Sequence, residues 1–300
     1  MAHPFRRTLY SFLVVAASTA SLWQAWQSYE KQNSPSSPPK VTQGPQSELP
    51  NTVTTEPIAY SLQNKKLYLT FDSGTNWQQV PATMAEFFGG EYATAANNEL
   101  LPDSYLLTKT RSGFLLVKDN QLVWLETKDQ GTSWQEYPVA DVAYGLRFRQ
   151  IQFLDDDFAV CVLSGGRVMG QEGAEILVSH DAGKTWEEIP ANGLGNGMLV
   201  TAAGFISPEV GFVSRKNQLY VTQDGGNSFS LATVTVPEKY EKIFVWPEAP
   251  YLEGGKLYLE VNQGELGDYA GGLVKGLFES TDQGKTFVFV RELTEQEVAS

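Results

Sequence analysis

Thr70-Phe71-Asp72-Ser73-Gly74-Thr75-Asn76-Trp77 is the first of five copies of one eight-residue pattern: Ser or Thr, any residue, Asp, any residue, Gly, two more, then Trp or Phe. The other copies are residues 127–134 (Asp129, Gly131, Trp134), 179–186 (Asp181, Gly183, Trp186), 222–229 (Asp224, Gly226, Phe229) and 280–287 (Asp282, Gly284, Phe287). Each follows a short β-like run and leads into another, so each is expected to be a hairpin turn. A tight hairpin leaves backbone N–H groups without ladder partners, and a buried orphan is costly. An Asp carboxylate in the turn can accept two or three of them. Gly two residues later supplies a positive φ without steric cost, and the aromatic points inward to anchor the turn. The hydroxyl two residues before the Asp shares its strand face and joins the network. On this reading the five carboxylates are structural staples rather than metal ligands or catalytic groups.

Five copies in register, each with hydroxyl, Asp, Gly and aromatic, resemble the Asp-box (bacterial neuraminidase) repeat of sialidase-like β-propellers. The resemblance covers about residues 57–293. The first copy departs from the others, with Asn76 where Ser133, Thr185, Ser228 and Thr286 stand. A longer pattern is shared by residues 153–158 and 205–212, and it is similar to the photosystem II assembly-factor-like branch of these repeats. The resemblance implies an all-β chain, a β-propeller of four-stranded antiparallel blades. The five Asp residues are 57, 52, 43 and 58 apart, slightly longer than the ~40–50 residues of common propeller repeats. Five blades are expected, with a box-less sixth within residues 82–115 as the alternative. The first repeat holds only three strands, so its blade lacks an innermost or outermost member. The chain's end, with Glu297, Val298 and Ala299, is the available donor.

The 300 residues are 42% hydrophobic and 12% aromatic, enough for a large core. A net charge of −13 argues against nucleic acid, whose binders concentrate basic residues on one face. One cysteine precludes an internal disulfide and a multi-Cys zinc site. Cys161 lies in an apolar run and reads as a buried small residue, and neither His3 nor His180 is placed to serve it as a base. No metal or cofactor is expected.

Residues 1–29 begin with Arg6 and Arg7 and continue with 22 uncharged residues from Thr8 to Tyr29. This reads as a membrane-anchor helix, with Trp23, Trp26 and Tyr29 in an interfacial belt, or as a cleaved signal peptide. Either places the rest of the chain outside the cytoplasm: single-pass at the cell membrane, or secreted after cleavage. Residues 30–56 are rich in Pro, Ser and Gln and read as a disordered spacer. Residues 57–300 form the propeller.

In such a blade the A–B and C–D turns share one face, and the boxes are C–D turns. The opposite face then collects the long connections: 165–173 and 262–276 between strands B and C, and 82–103, 141–147 and 191–198 between blades. Loops on a rigid scaffold are where function concentrates. The candidate binding residues are Tyr144, Arg147, Arg167, Glu172, Glu265, Asp268 and Tyr269, with Tyr92 beside them. Arg167 and the Glu265, Asp268, Tyr269 group are expected on one side of a central funnel. No catalytic residue is assigned. The resemblance to sialidases would imply an Arg-Ile-Pro motif before the first box, and none occurs. The expected function is therefore a non-catalytic, membrane-tethered propeller binding a protein or glycan partner at the cell envelope. A glycoside hydrolase of sialidase-like fold is the alternative.

Overall fold

The computed structural model describes residues 54, 56–91, 99–142 and 145–298. Residues 1–29 and nearly all of 30–56, with the anchor and spacer expected of them, lie outside the described residues. Among the described residues no helix is long and apolar enough to cross a membrane.

Among the described residues five sheets follow one another, each carrying one copy of the pattern. The first is three-stranded, with β1 (Ala59–Gln63), β2 (Lys66–Thr70) and β3 (Gln78–Gln79). A short helix, α1 (Met84–Phe87), leads to the second sheet: β4 (Tyr105–Leu107), β5 (Ser112–Lys118), β6 (Gln121–Thr127) and β7 (Gln135–Asp141). The third holds β8 (Leu146–Phe153), β9 (Ala159–Val168), β10 (Gln171–Ser179) and β11 (Glu187–Ile189). The fourth holds β12 (Val200–Phe205), β13 (Gly211–Arg215), β14 (Gln218–Thr222) and β15 (Ser230–Leu231). The fifth runs β16 (Thr233–Thr235), β21 (Thr286–Leu293), β20 (Lys275–Ser280), β19 (Lys256–Asn262) and β17 (Trp246–Pro247), and β18 (Tyr251–Glu253) also pairs with β19. This all-β arrangement of antiparallel meanders is that of a β-propeller.

Two points that the sequence left open are narrowed, and one expectation, the strand from the chain's end, is corrected. In sheets two to four the box joins the third and fourth strands, but in the first sheet it joins the second and third, so among the described residues it is the innermost strand that the first sheet lacks. Glu297 and Val298 do not supply the expected strand, because Glu295–Val298 forms helix α2. Thr294 caps it: the Glu297 N–H reaches the Thr294 hydroxyl, and the Glu297 carboxylate accepts from the Thr294 N–H at 2.9 Å. The described part of 82–115 forms no sheet of its own. Thr83 and Glu86 make a capping box on α1, and β4 and β5 belong to the second sheet. Among the named strands one pairing is parallel: β16 follows the fourth sheet and adds to the outer edge of the fifth beside β21.

The core sits between the sheets. Period-two alternation sends successive side chains of a strand to opposite faces, and here both faces are buried. Phe114 and Leu116 of β5 pack toward the first sheet, with Leu67, Leu69, Phe87 and Phe88. Leu115, between them, packs toward the third with Cys161 and Leu163. Val160 and Val162 of β9 face the fourth sheet, meeting Val200 and Phe205. Phe212 of β13 faces the fifth, meeting Leu257, Phe278 and Phe287. Cys161 is fully buried and its thiol pKa is pushed up by that burial. It is a core residue.

Each box is held by one network. In the third, the Ser179 hydroxyl donates to Asp181 Oδ1 at 2.9 Å and accepts the Gly183 N–H at 2.8 Å. Asp181 Oδ1 accepts the Thr185 N–H at 2.8 Å, and Oδ2 the Thr185 hydroxyl at 2.7 Å. The labour is thus divided: the hydroxyl serves the Gly N–H, and the carboxylate serves the seventh residue twice. Asn76 does the same, donating its N–H and its Nδ2 to Asp72, so its departure from the hydroxyl pattern changes nothing in the turn. The residue before each Gly also has positive φ (Ser73, Gln130, Ala182, Gly225, Gln283). Hydrogen bonds to Asp72, Asp129, Asp181, Asp224 and Asp282 hold all five carboxyls below the ordinary range, Asp181 and Asp282 at about 2.

Candidate functional site

Within a meander, successive connections alternate between the two ends of a sheet. The boxes and the turns at 154–158 and 206–210 share one end, as shown by Ala182 N–H bonding to Asp157 O and Gly225 N–H to Glu209 O. The hairpins one connection before each box emerge at the other. Contacts run across that second face from sheet to sheet. The Glu91 N–H donates to Leu146 O, Glu172 exchanges backbone bonds with Gly197, and Lys216 Nζ lies 5.4 Å from the Trp246 ring centroid.

Arg147 and Glu172 are brought together here. Arg147 Nε donates to Glu172 Oε2 at 2.9 Å, and its Nη2 donates to Oε1. The Val200 N–H, from the next sheet, donates to Glu172 Oε1 at 2.7 Å. The carboxylate side chain is fully buried. Burial works against its charge, yet the Arg147 guanidinium, the Val200 N–H and Ser164 outweigh it and keep the pKa below the usual Glu value. This group joins the third and fourth sheets. Beside it, Arg215 is fully buried and donates from Nη2 to Gly195 O at 2.7 Å and from Nη1 to Glu172 O at 3.4 Å. It pins the Gly-rich connection 191–198 onto the third sheet. Arg149, also buried, donates to Phe87 O and to Gly89 O, tying β8 to the end of α1.

Arg167 lies on the same face and pairs with Glu91 at 3.1 Å. The segment 165–173 is not the irregular excursion expected. β9 and β10 continue through it as a hairpin with a bulge near Gln171 and Gly173, and only Met169 and Gly170 turn. Glu265 and Asp268 are exposed. Tyr269 leaves the expected funnel: its hydroxyl donates to Glu292 on β21 at 2.9 Å, and its ring meets Tyr240 and Phe244 edge-on. These partners hold Tyr269 beside β21, the strand nearest the outer edge after β16. Tyr144 and Tyr92 lie outside the described residues. On the inner side, Lys275 bridges Glu248 at 2.8 Å and Glu260 at 3.0 Å.

Reading the sequence for charge and aromaticity missed what is most exposed on this face. Met169 is 99% and Leu266 96% exposed, with Val168 at 69% and Met198 at 42%. The signal available was an apolar residue inside a Gly-flanked turn. On the opposite face a shallow cleft of about 510 Å³ is lined by Asp155, Asp156, Asp157, Phe158, His180 and Pro208. Asp155 there closes its own turn, accepting the Asp157 and Phe158 N–H groups.

Residues 96–269 match the family described as photosynthesis system II assembly factor YCF48. A curated protein, the chloroplastic photosystem II stability/assembly factor HCF136 of Oryza sativa subsp. japonica, is 30% identical over 138 residues. That match covers 44% of this chain and 30% of the relative, so the chain spans less than a third of that protein's length. Among solved structures, YCF48 bound to D1 peptide aligns over 84% of this chain and 83% of that one, at 15% identity and TM-score 0.44. An ancestral GH74 enzyme aligns over 80% of this chain and 30% of that one, at 12% identity and TM-score 0.50, a likeness of fold.

Proposed function

Because this chain belongs to the photosynthesis system II assembly factor YCF48 family, we propose that it is a non-catalytic propeller that holds a protein partner on its loop-rich face. One observation in the geometry supports this most directly: the cations Arg147, Arg167 and Lys275 of that face are each held by a carboxylate of the protein itself. Glu172 is paired with Arg147, Arg167 with Glu91, and Lys275 with Glu248 and Glu260. Glycoside hydrolysis needs a carboxylic acid whose pKa is raised, and Glu172 is shifted the other way. The fold likeness to a GH74 enzyme does not carry an activity. The remaining surface offers rigid β-hairpins and short loops, the equipment of a recognition scaffold. Residues 1–29 would tether it, with 30–56 as the spacer and the propeller outside the cytoplasm.

The test is a pair of photo-crosslinking residues placed in the full chain in its native cell, one at Asn217 on the loop-rich face and one at Asp156 on the box face. Both positions are exposed. A discrete protein adduct from position 217 and none from 156 is expected. Adducts from 156 alone, or from neither, would overturn the reading.

A further inference from the structure

The hairpin tips one connection before each box can be compared directly, because four of the described sheets present a tight one. In each, the first turn residue has positive φ: Asn64 (52°), Asp119 (49°), Met169 (52°) and Lys216 (47°). Left-handed backbone is disfavoured for side chains with a Cβ, and turns of this kind favour Asn, Asp and Gly. Three of the four tips carry a polar residue that water can solvate. The third carries methionine, with 99% of its surface exposed. Nothing inside the protein compensates either the backbone conformation or the exposed thioether. A departure from local rules without an internal gain marks a position used for something outside the fold.

The hairpin that carries Met169 is also the longest. β9 has ten residues against seven in β5 and five in β13, so its tip stands ~10 Å beyond that of the second sheet at ~3.3 Å per residue. It is braced rather than loose: Arg167 is held by Glu91, and Gly166 N–H bonds to Gly145 O. Val168 beside the tip is exposed as well. On the same face, two sheets away, the loop after β19 raises Leu266 to 96% exposure between the exposed acids Glu265 and Asp268. Of the chain's four methionines, Met198 is the other exposed on this face, on the rim between them. Methionine adapts to irregular apolar partners and recurs on peptide-binding surfaces.

We propose that Met169 and Leu266 are two apolar prongs that grip a partner polypeptide whose large apolar side chains are flanked by lysine or arginine. The apolar part follows from the exposed side chains, and the basic flanks from Glu265 and Asp268 on a chain of net charge −13. An anionic lipid surface is disfavoured by that same charge. The proposal rests on the protein-binding reading of this face and specifies the partner's chemistry.

The test uses the full chain and three fluorescent synthetic peptides: leucine with lysine, serine with lysine, and leucine with glutamate. Met169→Ser and Leu266→Ser leave the charge unaltered and remove no internal contact, so melting temperature is unchanged. The leucine–lysine peptide is expected to bind the unaltered chain at least about tenfold more tightly than either control. Each substitution is expected to weaken that binding about tenfold, the cost of one large apolar side chain left in water. Equal binding of the serine–lysine peptide, or equal affinity of the variants, would overturn the proposal. So would capture of phosphatidylglycerol vesicles in preference to the peptide, or a self-association that the double variant abolishes. If the prongs fail while position 217 still crosslinks a protein, the docking inference falls and the protein-binding reading stands. If position 217 yields nothing, that reading falls by itself.

Discussion

Gly284→Ala tests the account of the box turns. Gly284 has φ +86, and a Cβ built there would lie 2.3 Å from Phe212 Cε1 and 2.4 Å from its Cζ. Phe212 is fully buried against Phe287, so the ring has nowhere to retreat. Two costs follow. Left-handed backbone costs an alanine about 1–2 kcal/mol, partly offset by about 0.4–1 kcal/mol from a stiffer unfolded chain. Overpacking a closed core adds about 1–3 kcal/mol. The sum is about 3 kcal/mol, or a fall in Tm of about 6–12 °C for a domain of this size. Gly170→Ala is the internal control. Its φ is +82, but nothing lies within 4 Å of the added Cβ, so only the backbone part is felt, about 1 kcal/mol. Thermal melts of the two variants of the full chain read the difference directly. If their Tm values agree within about 2 °C, the box Gly is a turn residue only, and the packing of the fifth box on the fourth sheet has been misread.

Glu172→Gln is expected to destabilise by about 3 kcal/mol in urea titration, because Arg147 loses the buried carboxylate to which it donates twice. The double variant Arg147→Met with Glu172→Leu should recover much of that, and equal losses in both would refute a charge origin. Acid should weaken the fold through the five box carboxyls. Their folded pKa values lie below the ordinary 3.8, at about 2 for Asp181 and Asp282. Their contribution is therefore complete above the unfolded value and lost as pH falls from about 4 to about 2; a melting temperature constant across that window would contradict the network. Ser228→Ala should cost about 1 kcal/mol by removing the hydroxyl donated to Asp224, whereas Asn76→Ser should leave Tm unchanged, since serine supplies the same two donations.

The box turns were legible in the sequence because their bonds are local. Each bond among the hydroxyl, Asp, Gly and the seventh residue spans no more than four positions, so residue type and spacing specify the contact. The alternating apolar runs were legible for a related reason, since period two alone assigns side chains to two faces, as Phe114, Leu115 and Leu116 show. That Asn76 could replace a hydroxyl became clear only from the turn geometry. The remainder depends on which sheet stands beside which. Arg147 and Glu172 are 25 residues apart, and Glu172 meets the Val200 N–H only because β10 and β12 are neighbours in space. The same holds for Arg167 with Glu91, and for Tyr269, which left the expected funnel because Tyr240, Phe244 and Glu292 lie on its outer side. Exposure is likewise a property of the assembled surface. Met169 and Leu266 are ordinary apolar letters in the sequence, and only the length of one hairpin and the height of one loop put them in solvent. Local hydrogen-bond chemistry therefore determined the repeat and the sheets, while long-range packing decided which charges pair and which apolar side chains remain available.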